Sequence, residues 1–179
     1  MHDPEAVFDL LALKKGDCFL DLGCGPGDYS LEASRFVGNT GVVYSLDRSE
    51  LLINNLKRRV AEEGIMNLVA MVADATRRLP IEDGCVDICL VATALHIPGI
   101  TRNAEALCNE IRRVLKPDGR LAIIECHKED VSFGPPQHMR LSPEDSEGLI
   151  TRYGFKKTGI IDLGYNYMIQ FGVCRDNDK

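Results

Sequence analysis

Three carboxylates close three apolar runs, and a cluster of glycines follows the first. Asp21 is next to last in FLDL and is followed by Gly23, Gly25 and Gly27 in DLGCGPGDYS; Asp47 ends GVVYSLD, and Asp74 ends LVAMVAD. Glycine has no Cβ, so it takes positive φ at little cost and lets a ligand lie against the main chain. A carboxylate at Asp47, 26 residues beyond Asp21, suits two hydrogen bonds from the vicinal hydroxyls of a ribose. Its plainer role is to cap the next helix, although Ser49 already stands in the capping place. Asp74 is suited to accept from the exocyclic amine of an adenine while the Ala75 N–H pairs with a ring nitrogen. Alternatively, Asp74 only forms a turn.

The glycine spacing narrows the ligand. It is G-x-G-x-G, and Asp28 stands where a dinucleotide fingerprint has its third glycine. An acid at that helix N-terminus repels the pyrophosphate that would otherwise sit on the helix dipole and amides. The ligand expected is one with an adenosine end, no phosphates and a cationic centre among carboxylates. A nicotinamide-dependent oxidoreductase is disfavoured on the same ground.

Candidates for proton transfer are few. His96 follows the run VDICLVA (86–92) and belongs at the crevice beyond the strand ends, as a general base or as part of its wall. His127, and His138 with Arg140, fall in the polar stretch HKEDVSFGPPQHMR, the kind of loop in which specificity is built, or are simply solvated. Asp87 opens its run on the opposite side of the sheet and reads as structural. The seven cysteines are scattered through apolar runs without a C-x-x-C pair. They read as small buried hydrophobes, with no metal site.

To converge, these residues need strands that all point one way. Helix-like and strand-like periodicities do alternate along the chain. Asp3 and Pro4 open a short helix, CFLDLGC (18–24) is a strand covered on both faces, and a helix follows over 28–37. After the strand 41–47, Ser49 caps a helix bearing Leu52, Leu56 and Val60 that Gly64 ends. Strands at 68–74 and 86–92 precede a helix opened by Thr101, and Pro117 and Gly119 turn the chain into RLAIIEC (120–126). Ser142-Pro143-Glu144 starts another helix. KKTGIIDLG and NYMIQFGVCR, separated only by the turn at 164–166, must pair as an antiparallel hairpin at one sheet edge. The fold class expected is α/β: a three-layer, doubly wound, mostly parallel sheet with that hairpin.

Bulk properties exclude several classes. The 179 residues suit one domain over 1–179. The formal charge of −6 argues against a nucleic-acid partner. Lys57-Arg58-Arg59, followed by Glu62-Glu63, reads as a solvated helix face. No apolar run reaches the ~18–20 residues of a membrane span, and MHDPEAVFDLL lacks signal-peptide features. A cytoplasmic location is expected.

DLGCGPG, YSLD, VADATRRLPIEDGCVDICLVATALH and EIRRVLKPDGRLAIIE together resemble the S-adenosylmethionine-dependent methyltransferases with the Rossmann-like fold. The likeness is strongest to the small-molecule branch that includes ubiquinone and menaquinone methyltransferases, and covers residues 15–126 in order. It implies a seven-stranded sheet whose antiparallel strand lies beside the fifth. S-adenosylmethionine is then the implied cofactor, S-adenosylhomocysteine the product, and a small molecule the substrate. Carried over, Asp21 holds the methionine amino group, directly or through water, with the Gly23 and Gly25 backbone beside it and Gly27 completing the motif. Asp47 takes the ribose, Arg48 flanks the adenine that Asp74 and Ala75 bind, and Ala92 presents main-chain atoms to the methionine portion. Tyr29 either lies over the cofactor or packs in the core. A non-catalytic cofactor-binding module is the alternative. The short stretch before the first strand leaves the substrate to be covered by the 127–141 loop with the first helix, or by the partner subunit of a homodimer.

Overall fold

The computed structural model describes residues 4–128 and 134–174. Seven strands form one sheet: β1 (Cys18–Leu22), β2 (Val42–Asp47), β3 (Leu68–Val72), β4 (Val86–Ala92), β5 (Leu115–Cys126), β6 (Phe155–Asp162) and β7 (Asn166–Val173). Their order is β3-β2-β1-β4-β5-β7-β6. The first five are parallel, and β7 runs antiparallel to both β5 and β6. The order reverses between β1 and β4, so the crevice of a doubly wound sheet opens beyond the carboxyl ends of these two strands.

Helices cover both faces. On one, α1 (Pro4–Leu11), α2 (Asp28–Val37) and α3 (Glu50–Glu62) bring Phe8, Leu31, Val37, Ile53 and Leu56 onto Phe19, Val43 and Leu90. On the other, α5 (Ala104–Val114) and α6 (Pro143–Thr151) bring Leu107, Ile111, Val114 and Ile150 onto Leu20, Leu22, Val91 and Ile123. Every residue of β1 is buried. Strand alternation puts Leu20 and Leu22 on the α5 face, and Phe19 with Asp21 on the α2 face. That parity decides what Asp21 meets.

Several local expectations hold at the level of atoms. Ser49 Oγ accepts the Leu52 N–H at 3.4 Å, and Gly64 takes φ +65° just past α3. Ser142 and Asp145 form a reciprocal capping box, both bonds 3.1 Å, with Pro143 in the first turn. The cap expected at Asp3 and part of the 127–141 loop lie outside the described residues.

Two boundaries differ. Thr101 does not open the long helix but lies inside a short α4 (Pro98–Arg102), its hydroxyl donating back to the Leu95 carbonyl at 2.6 Å. Asn103 leaves helical geometry and its side chain donates to the Gly99 carbonyl at 2.7 Å, so α5 starts afresh at Ala104. Strand β5 begins at Leu115, before the expected turn. A Cβ on Gly119 would come within 2.9 Å of the Val86 carbonyl, so this glycine admits the β4 backbone at an irregularity between Val86 and Ile88.

Candidate active site

A cavity of about 440 Å³ opens at the crevice, bounded by Gly23, Gly25, Asp47, Arg48, Asp74, Ala75 and Ala92, with Leu46, Ala73, Ile97 and Ile100 as apolar wall. That volume lies in the range of small-molecule sites. Seven of the expected residues thus converge on one space, from the ends of β1 to β4.

Their geometry follows from the turn after β1. The Gly23 and Cys24 N–H groups both donate to the Leu46 carbonyl, at 2.7 and 3.0 Å, which folds the loop over the end of β2. Gly25, at φ +54°, donates to Asp47 Oδ2 at 3.0 Å, while Asp47 Oδ1 accepts the Ser49 N–H at 2.8 Å. Asp47 therefore ties the loop to the start of α3 and still lines the cavity. Each carboxylate oxygen keeps acceptor capacity. A Cβ on Gly25 would meet nothing within 4 Å: its missing side chain leaves open space on the cavity side.

Gly27 does something else. It does not line the cavity, and a Cβ there would lie 2.5 Å from Leu56 Cδ1 at φ +88°. This glycine lets α3 pack against the loop. Asp21 is likewise off the wall. It is 1 % exposed and accepts from Ser30 Oγ at 2.6 Å. Burial pushes its carboxyl up to about 7, the Ser30 bond opposes this, and neighbouring Asp47 adds to the rise. Tyr29 packs edge-on against Phe8 with ring centres 6.2 Å apart, outside the cavity wall. Burial, then the charge of Asp21, pushes its hydroxyl up.

At the other end, Asp74 Oδ1 accepts from the Thr76 N–H at 2.9 Å and from its hydroxyl at 2.7 Å, and Arg77 lies 3.6 Å from Oδ2. These bonds hold its carboxyl below the usual range. Asp74 makes the turn, and it also lines the cavity. Arg59 leaves the solvated basic face to reach Pro26 O and Asp28 Oδ1, both at 3.3 Å.

His96 lies beside the cavity and does not line it, while its neighbours Ala94 and Ile97 do. The ring Nδ1 is 2.8 Å from Glu125 Oε2, and the His96 backbone N–H donates to Glu125 Oε1 at 3.1 Å. Glu125 is fully buried and was missed from sequence; its signal is a lone acid inside the apolar run RLAIIEC. Thr93 was missed too. It lines the cavity at φ +51° with its N–H on the Ile124 carbonyl at 2.7 Å. A β-branched residue held there stores strain.

The remaining polar residues divide by role. Arg140 is 4 % exposed and donates to the carbonyls of Pro135 at 2.9 Å and His127 at 3.2 Å, so it braces the loop from within. His127 packs on Tyr167, ring centres 5.3 Å apart, with Nε2 3.5 Å from Asp162 Oδ1. Asp87 accepts from the Cys18 N–H at 2.8 Å and pairs with Lys116 at 2.7 Å, at the amino ends of the strands. No helix among the described residues is long and apolar enough to cross a membrane.

Residues 13–162 match the family model described as a methyltransferase domain. Over 116 residues the chain is 36 % identical to 2-phytyl-1,4-naphtoquinone methyltransferase of Trichormus variabilis, covering 64 % of this chain and 49 % of that protein. Over 140 residues it is 31 % identical to demethylmenaquinone methyltransferase of Lactobacillus johnsonii, covering 76 % and 56 %. The chain thus spans about half the length of the curated relatives it matches. Among solved structures, a SAM dependent methyltransferase from Aquifex aeolicus superposes with a TM-score of 0.88 at 29 % identity, covering 95 % of this chain and 89 % of that one.

Proposed function

This chain belongs to the S-adenosylmethionine-dependent methyltransferase family, and from that premise we propose that it transfers the methyl group of S-adenosylmethionine to a small-molecule acceptor, releasing S-adenosylhomocysteine. The observation that carries the reading is the Gly25–Asp47 pair. Gly25 leaves open space where a Cβ would stand, and the carboxylate it binds lines the same cavity. The donor set fits the cofactor: acids without a phosphate-binding helix end, and apolar wall residues Leu46, Ala73 and Ile97 for a purine.

When bound, the cofactor supplies a methyl carbon activated by a sulfonium and open to in-line displacement. The chain's own groups bind and orient. Asp47 accepts from the ribose hydroxyls, Arg48 flanks the adenine, and Asp74 accepts from its amine beside the Ala75 N–H. Ala92 and Gly23 offer main-chain atoms to the methionine portion. Asp21, buried near the end of β1, acts on the amino group through its field and through water. Such alignment is worth on the order of 7–11 kcal/mol. The names of the curated relatives point to a naphthoquinone-type aromatic as the acceptor to try first.

Thermal unfolding with S-adenosylhomocysteine, S-adenosylmethionine or NAD tests the site. Ligand at ~100 times its dissociation constant adds about 2.7 kcal/mol, a rise of a few degrees. A rise with the first two and none with NAD is expected. A rise with NAD alone would overturn the reading. Transfer of labelled methyl to 1,4-naphthohydroquinone then separates an enzyme from a module that only binds the cofactor.

A further inference from the structure

We infer that β3 is the interface of a two-fold dimer: two copies of this chain pair their β3 strands antiparallel about Ala70 and join their sheets into one. The inference goes beyond the methyl-transfer reading and does not depend on it.

The two edges of the sheet are unlike. At one edge, β6 carries exposed Lys156 and Lys157 and an irregularity in its pairing between Lys157 and Gly159. Lysines and bulges keep an edge strand from pairing with another chain. At the other edge, β3 reads LVAMV, with no charge, proline or glycine, in unbroken register with β2. Val69 is 41 % exposed, Val72 49 %, and Met66, just before the strand, 93 %.

The main-chain groups are set by those already used. The Val43 N–H donates to the Asn67 carbonyl at 2.8 Å, and the Ala73 N–H donates to the Asp47 carbonyl at 3.0 Å. Strand geometry repeats every second residue, so Asn67, Val69, Met71 and Ala73 turn their N–H and C=O groups to β2. Leu68, Ala70 and Val72 turn theirs outward, and among the described residues no other strand pairs with β3.

A two-fold axis at Ala70 sets Leu68 opposite Val72 of the second copy, Ala70 opposite Ala70, and Val69 opposite Met71. The outward residues then form hydrogen-bonded pairs, each exchanging two bonds, while Val69 and Met71 form the closer pairs in which side chains meet. No helix stands between β3 and β4 in the chain, so Val69 is left for the second copy to cover. No like charges face each other across the strands.

The flanks match as well. Exposed Glu62 and Glu63 precede β3, and Arg77 and Arg78 follow it. The two arginine side chains are 83 % and 73 % exposed, with only long contacts to Asp74 at 3.6 Å and Asp83 at 3.5 Å. Antiparallel pairing brings the acidic end of one strand to the basic end of the other, twice by symmetry. This match of strand and charge under one two-fold axis selects a second copy over an unrelated strand.

Sedimentation velocity of the full chain over a concentration series tests the inference, and a dimer is expected. Val72→Pro removes an outward N–H that β2 does not use. Val69→Lys places on this edge the residue type that guards β6. Each should raise the dimer dissociation constant about 10-fold or more. If Val72→Pro fails to fold, Val69→Lys decides alone, since its side chain is already part exposed and its urea midpoint as a monomer should hold. Amide exchange by NMR should show the Leu68, Ala70 and Val72 N–H groups protected in the dimer and open in monomeric Val69→Lys. A wild-type chain that stays monomeric leaves this edge to a strand of another protein and overturns the inference. A dimer that survives Val69→Lys, or one in which those three amides exchange freely, pairs through another face and overturns it too.

Discussion

The β1–β3 side of the crevice and the β4–β7 side hold their polar groups by different means. Around the glycine loop the donors are main-chain N–H groups: Gly23 and Cys24 onto the Leu46 carbonyl, Gly25 and Ser49 onto the Asp47 carboxylate. On the other side they run between side chains distant in sequence. His96 and Glu125 are 29 positions apart and Ser146 and Tyr167 are 21 apart. A backbone scaffold presents the same donors and acceptors whatever side chains stand around it. A side-chain scaffold can be retuned one residue at a time. The first arrangement suits a ligand that never changes, and the second suits a variable partner.

The largest expected effect probes the backbone side. Gly27→Ala adds a Cβ 2.5 Å from Leu56 at φ +88°. Left-handed strain of ~1–2 kcal/mol then joins overpacking of ~1–3 kcal/mol, so urea unfolding should shift markedly. Gly25→Ala meets no atom within 4 Å and should show only the ~1–2 kcal/mol of backbone strain, but its methyl fills the cavity side. Calorimetric titration should find S-adenosylhomocysteine binding weakened in Gly25→Ala and retained by folded Gly27→Ala. The reverse pattern would break the division between a glycine that packs and one that receives the ligand.

Tyr167→Phe comes next, on the side-chain half. The hydroxyl meets Ser146 Oγ at 2.7 Å and the carbonyls of Leu141 and Ser142 at 2.9 and 3.1 Å. Its loss should cost about 1–3 kcal/mol, the penalty for buried partners left unmade. Cofactor affinity should stay unchanged, and a large fall would show that the halves are coupled.

The last effect is a slope with pH. Asp21 sits at about 7 in the folded chain against an ordinary 3.8, so the folded state binds the extra proton between those values. Stability from this group is full below about pH 4, declines as pH rises toward about 7, and is flat above, by at most about 1.4 kcal/mol per pH unit. Asp21→Asn should flatten that part of a plot of urea midpoint against pH. An unchanged slope would mean that Asp21 is not its source.

These contrasts also explain what could be read from the residues alone. The fold was legible because both faces of the central strands β1 and β4 are covered, which leaves unbroken apolar runs, and because Gly64 and Ser142-Pro143 punctuate locally. Asp47, Asp74 and Ala92 were legible because each stands at the carboxyl end of a strand. Asp21 was placed correctly along the chain, but its parity on β1 turned it to Ser30 rather than to the cavity wall. Gly27 looked like its neighbours until Leu56 came near. Glu125 and Thr93 gave little sign, since a buried ion-pair partner and a strained φ are properties of tertiary contact. The break between α4 and α5 depended on the Asn103 side chain, which no periodicity reports.

The placement of β7 has a consequence for synthesis. It fills the gap between β5 and β6 and pairs with both, yet of the sheet's seven strands it is the last to be synthesised. Until residues 166–173 emerge, the whole outer edge of β5 stays unpaired, and its most apolar stretch, LAII, waits uncovered on that flank. An open apolar edge is a template for pairing with another chain. A nascent chain paused before β7 is therefore the form of this protein most in need of a chaperone, and pairing of β7 with β5 is the event that ends that need.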